Sequence, residues 1–234
     1  MSLAIISDNL AKIRESIDEA ARRSGRSGSE VTLVGVCKYF GTDITRQVAE
    51  AGLLELGENR PQQLWEKAEA LGDLPIRWHQ IGKLQRNKVR RSLPMIRLFH
   101  AADSLRLLNE INKEAARIDI VQQVLIEVNV SGEETKHGFM PNEMESILEK
   151  CSQFEAIQIC GLMAMAGLHS GLKGAAQEFE SMRELRERLK RTKPENVKLD
   201  ELSMGMSRDY HIAIEQGATI VRVGSSLFEG IPRF

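Results

Sequence analysis

The sequence predicts an α/β fold: one parallel (β/α)8 barrel of the TIM type over residues 1–234, with an extra helix at its N-terminus. Three observations lead there. Short apolar runs alternate with amphipathic stretches along all 234 residues, an ordinary length for such a barrel. The alternation has no linker or low-complexity break, and strands separated by helices imply right-handed crossovers and parallel pairing. Polar and glycine residues gather where the strands end: at Lys38, Glu58 and Asn59, His79 to Lys83, His100, Asn129 to Ser131, Met163 to Met165, Ser203 to Ser207 and Arg222 to Ser225. Such ends form the functional face of a barrel. An open doubly wound sheet is the alternative.

In chain order, Ile6, Leu10, Ile13, Ile17 and Ala20 recur at helical spacing, an amphipathic helix expected to cap the barrel's bottom. A Ser- and Gly-rich loop over 22–30 leads into VTLVGVCKYF at 31–40, where alternation puts Thr32, Val34, Val36 and Lys38 on one face. Helices are expected over 43–51, 61–71 (opened by Pro61), 84–91 and 103–117 (capped by Asp103). Strands are expected over 53–57, 76–81, 95–100 and 121–130. In the second half Pro141 opens a helix to about Cys151, and helices at 175–191 and 208–216 alternate with strands at 157–165, 199–203 and 219–224.

Composition narrows the function. With 32 basic and 33 acidic residues the net charge is −1, so the chain as a whole does not attract nucleic acid. Lys83, Arg86, Lys88, Arg90, Arg91 and Arg97 read as the solvated face of a short helix, and a nucleic-acid or anion-binding module is the rival they allow. Cys37, Cys151 and Cys160 have no CxxC spacing and read as reduced thiols, consistent with the cytoplasm. No leader-like or membrane-spanning stretch is visible, and no membrane association is expected. The five histidines lack metal-ligand spacing; no metal is expected, and His79 and His100 read as hydrogen-bonded core residues. Met163, Met165, Met204 and Met206 read as gap-fillers, and Lys136 as a surface lysine or a second aldehyde target.

The chemistry starts from Lys38, an amine at the end of an apolar strand, where it either snorkels or reacts. LSMGMS at 202–207 and RVGSS at 222–226 are two small-residue turns after the last two strands, with Gly205 for close backbone approach and Ser207 as a candidate N-cap. Strands seven and eight are where barrels commonly hold phosphate. Arg222 lies among apolar strand residues and needs an acceptor, either a buried carboxylate such as Glu127 or Asp200 or a ligand. An amine, an anion site and an arginine at one mouth suit a phosphorylated carbonyl compound, for which pyridoxal 5′-phosphate (PLP) and sugar phosphates both qualify.

The same residues carry a family resemblance. The strand ending in Lys38, GEN at 57–59, RWHQIGKLQRNK at 77–88, VNVSGEETKHG at 128–138, GLMAM at 161–165, LSMGMS and VRVGSSLF at 221–228 together resemble the pyridoxal phosphate homeostasis protein family. The resemblance implies a barrel similar to the N-terminal domain of alanine racemase, with PLP held as a Schiff base on Lys38. It implies phosphate binding by Ser207, Gly224 and Ser225, with Ser203 to Met206 shaping the loop. It places Arg222 facing the pyridine nitrogen and Asn59 near the ring. No catalytic residue is implied: the protein would carry PLP without clear turnover, with PLP-dependent apo-enzymes as candidate recipients. A monomer is expected separately, because no large apolar helix stripe is left over once the barrel is built. A PLP-dependent racemase-like enzyme and a class I aldolase acting on a phosphorylated sugar are the alternatives. Cys37, Tyr39, Phe40, Lys83 and Glu229 depart from the family's usual residues.

Overall fold

The computed structural model describes residues 2–133, 137–167 and 169–232. Lys136, read as a surface lysine or a second aldehyde target, therefore lies outside the described residues. After a first helix, α1 (Ser2–Arg23), come β1 (Thr32–Val36), α2 (Thr42–Glu50), β2 (Glu55–Glu58), α3 (Pro61–Ala70), β3 (Arg77–Gln80), α4 (Arg86–Ser92) and β4 (Ile96–Ala102). The second half holds α5 (Leu105–Arg117), β5 (Gln122–Glu127), α6 (Met144–Cys151), β6 (Ile157–Met163), α7 (Gly171–Lys190), β7 (Glu201–Met206), α8 (Tyr210–Glu215) and β8 (Ile220–Val223). The strands pair in sequence order into a closed barrel, and β8 returns to β1 in parallel register, with Val34 opposite Arg222.

The N-terminal helix is extra in sequence order but not in the ring. Each of β1 to β7 is followed by one helix, whereas among the described residues β8 is followed only by turns at 225–230. α1 packs against both α2 and α8 and so occupies the eighth place around the barrel. Its apolar stripe of Ile6, Leu10, Ile13 and Ile17 is buried there, and Asn9 Nδ2 donates to the carbonyls of Leu227 (3.2 Å) and Glu229 (2.9 Å), tying it to the last turn. Its middle, through Arg14, Ile17 and Asp18, lines a cavity of about 540 Å³ at the floor beneath β1 to β3.

Several boundaries differ from the sequence reading for physical reasons. α5 is capped by Ser104, whose hydroxyl accepts from the Leu107 N–H at 3.4 Å, so Asp103 is left to pair with Lys83 at 3.3 Å. Pro141 opens a turn rather than α6, which starts at Met144. β7 runs later than expected, to Met206, because Gly205 at φ +92 lets it continue where a Cβ would meet Ala213 Cβ at 2.5 Å.

Candidate functional site

Lys38 stands just beyond β1. The strand ends at Val36, paired with Gly57, and Lys38 falls in the following turn, so strand alternation no longer determines where its amine points. The backbone before it is held firmly. The Cys37 N–H donates to Gly57 O at 3.1 Å, and the Cys37 carbonyl accepts from Phe40 N at 3.0 Å and Lys67 Nζ at 2.9 Å. Lys67 also pairs with the carboxylate of Glu58, and both are buried. Burial, reinforced by the charge of Glu58, pushes the Cys37 thiol up to about 12, so it is a packing group and not a nucleophile. Lys38 itself is half-buried, with Nζ 5.0 Å from the centre of the Tyr39 ring.

The two small-residue turns come together beside it. Ser207 does not cap α8; Asp209 takes that position, and its Oδ1 accepts from Met206 N at 2.6 Å. This frees the Ser207 hydroxyl, which accepts from Gly224 N at 3.0 Å and Ser226 N at 3.5 Å. A Cβ on Gly224 would lie 3.3 Å from Val36 O, so the glycine lets the β8 turn press against the end of β1. The Phe40 and Phe228 rings stack with centroids 4.0 Å apart, joining the Lys38 loop to the same turn. This gives the unusual Phe40 a packing role. Ser225 is exposed, and Met206 (42 % exposed) and Met165 (39 %) stand at the surface, whereas Met163 and Met204 are buried. The first two are therefore not the gap-fillers the sequence suggested.

Arg222 is buried inside the barrel. NH1 donates to the Ser203 carbonyl at 2.8 Å and to the Ser203 hydroxyl, and NH2 to Ala164 O at 2.9 Å. Its bonding partners are thus Ser203 of β7 and Ala164 just past β6 rather than Glu127 or Asp200. Burial lowers its pKa to about 10, opposed by the charges of Glu127 and Asp209, so it remains a cation at neutral pH. Glu127, also buried, is pushed up to about 7 by burial and by Asp103, against the attraction of Arg222 and Lys83. Asn59 is exposed at the end of β2, its carbonyl bound by Gln80 Nε2 at 3.1 Å.

Two polar groupings escaped the sequence reading. One is the Glu58–Lys67 pair, whose signal was a lysine three residues beyond Leu64 on the buried face of α3. The other is a chain across the interior: Glu55 Oε2 to His79 Nε2 (2.7 Å), His79 Nδ1 to His100 Nε2 (2.8 Å) and His100 Nδ1 to Ser203 Oγ (2.9 Å). The histidines are core hydrogen-bonders as expected, but their partners are far apart in sequence. The basic run is dispersed: Arg91 pairs with Glu69 (3.1 Å), Arg97 with Gln123 (2.6 Å), and Lys88 and Arg91 lie over Trp65. Among the described residues no cluster could hold a metal ion, and no helix is long and apolar enough to cross a membrane.

Comparison with known proteins fits this geometry. The profile of the alanine racemase N-terminal domain matches residues 9–232. A pyridoxal phosphate homeostasis protein of Aquifex aeolicus is 41% identical over 221 residues, 94% of this chain and 96% of the relative. The chain belongs to the pyridoxal phosphate homeostasis family. Another similar structure is PipY of Synechococcus elongatus, solved with PLP bound, at TM-score 0.84 and 31% identity, covering 95% of this chain and 99% of that one. The fold of this family member also matches alanine racemase of Clostridium difficile at TM-score 0.76 and 16% identity, covering 97% of this chain but 59% of the racemase.

Proposed function

We propose that the chain binds PLP at the barrel mouth and serves intracellular PLP homeostasis. The observation that carries this is the juxtaposition at β7, β8 and β1 of a Gly/Ser turn whose N–H groups converge on the Ser207 hydroxyl, a buried cationic arginine and a lysine just past a strand end. PLP supplies an aldehyde that condenses with a primary amine, and a phosphate that backbone N–H groups can bind. Lys38 is the amine, and Gly224, Ser225 and Ser207, with Met206 beside them, form the phosphate turn. Asn59 borders the ring. Arg222, oriented by Ser203, donates a hydrogen bond toward the pyridine nitrogen.

That last assignment limits the chemistry. A guanidinium does not give up its proton near neutral pH, so it leaves the pyridine nitrogen unprotonated and weakens the ring as an electron sink. Holding and releasing PLP without turnover is therefore the reading, with PLP-dependent apo-enzymes as recipients and one cytoplasmic, monomeric barrel domain over 1–234 as the carrier.

Borohydride reduction of the PLP-loaded chain, followed by peptide mapping, tests it. The expected result is a phosphopyridoxyl group on Lys38, with the visible absorption band absent in Lys38→Ala. A label on Lys136, or none, overturns the assignment. Sustained racemisation of amino acids at ordinary enzyme rates, above about 1 per second, overturns the carrier reading.

A further inference from the structure

The chain of hydrogen bonds through the barrel interior joins its floor to its mouth. Glu55 is at the start of β2, and with Arg77 it lines the floor cavity; its Oε1 accepts from Arg77 Nε at 2.5 Å and its Oε2 faces His79 Nε2 at 2.7 Å. Burial by itself would raise its carboxyl, but the hydrogen bonds from His79 and Arg77 outweigh it and hold the group below its ordinary value. At the other end Arg222 donates to the Ser203 hydroxyl. One end of the chain can only accept and the other can only donate.

With both imidazoles neutral, those ends fix everything between them. Ser203, accepting from Arg222, gives its own proton to His100 Nδ1; His100 donates through Nε2 to His79 Nδ1; and His79 donates through Nε2 to Glu55. Every donor then points from mouth to floor, and both imidazoles are Nε2–H tautomers, an assignment made from the network. With the tautomers reversed, Ser203 would accept from both Arg222 and His100, and its own proton would lose the acceptor it has in His100.

We infer that Glu55, His79 and His100 are positioning residues that act through Ser203 to hold Arg222 for its ligand, so that a change at the barrel floor is felt at the mouth. This rests on PLP occupying the mouth as proposed above. The floor is also where the chain can be reversed without entering the core. In Glu55→Gln only one side-chain oxygen remains, and the permanently charged Arg77 claims it; the amide N–H2 then faces His79 Nε2 and forces both imidazoles to the Nδ1–H form. Adding Arg77→Ala returns that oxygen to His79.

The test uses the full chain with ¹⁵N-labelled histidine, read by NMR without and with PLP, beside titration with PLP. The wild type should show Nε2–H tautomers at both sites, Glu55→Gln should reverse both and weaken PLP binding about fivefold, and Glu55→Gln/Arg77→Ala should restore both readouts. Unchanged tautomers in Glu55→Gln overturn the relay, as do reversed tautomers with unchanged PLP affinity. A wild type that binds no PLP overturns the cofactor reading and the coupling with it, and is told apart because the tautomers are also read in PLP-free protein.

Discussion

The mouth buries one carboxylate on each side, and the two are treated differently. On the β2 side, Glu58 pairs directly with Lys67, and the same lysine fixes the carbonyl of Cys37. On the β5 side, Glu127 faces Arg222, whose bonds go to Ser203 and Ala164, and among the described residues no cation lies within salt-bridge distance of Glu127. Burial raises both carboxyls, with Lys67 opposing it at Glu58, while at Glu127 the result is a pKa of about 7. What separates them is whether the nearest cation is in contact. A cation in contact makes the buried acid one half of a structural pair, whereas a cation engaged elsewhere leaves an acid that titrates near neutrality.

The largest effect belongs to the contact pair. Lys67→Met leaves Glu58 without its cation and the Cys37 carbonyl without one of its donors. A loss of about 3 kcal/mol is expected from urea unfolding at pH 7, with much of it recovered in Lys67→Met/Glu58→Leu because an apolar pair replaces a buried ionic one. Weaker PLP retention should accompany the single variant, since the backbone ahead of Lys38 loosens. A loss below about 1 kcal/mol would place the pair with surface salt bridges and erase the contrast.

The second effect is one of pH. A carboxyl raised from 4.5 to about 7 binds its proton more tightly in the folded than in the unfolded chain. Its contribution is therefore complete below pH 4.5, declines as pH rises toward about 7, and stays lost above, a span of about 3 kcal/mol at most. Glu127→Gln, which keeps the neutral shape, should match the wild type in acid and become the more stable protein by pH 8. Parallel stability curves for the two from pH 4.5 to 8 would mean that Glu127 does not titrate in this range, and the two sides of the mouth would be alike.

The sequence made the barrel legible because its information is local. Each strand and helix declares itself by the spacing of its apolar residues, and parallel connections leave few topologies. It also placed Lys38, Arg222 and the two turns at the right ends, because strand direction alone decides which end a residue occupies. Partners were less legible. Arg222 meets Ser203, 19 residues away, and His100 meets Ser203, 103 away, through barrel closure, which no local pattern encodes. The sequence also suggests Ser207 as a helix cap, but its hydroxyl instead accepts the Gly224 and Ser226 N–H groups of the β8 turn, a contact distant in sequence, and α8 starts after Asp209.

The smallest effect tests the neutral part of the β7–β8 side. Ser207 Oγ takes the N–H groups of Gly224 and Ser226, bonds between uncharged partners at a half-buried position where water can substitute. Ser207→Ala should therefore cost only about 1 kcal/mol in urea unfolding, well under Lys67→Met. Ser207→Thr keeps the acceptor and should recover most of the difference. If Ser207→Ala costs as much as breaking the buried ion pair, the phosphate turn is part of the barrel's framework, and the mouth is divided by strand position rather than by charge.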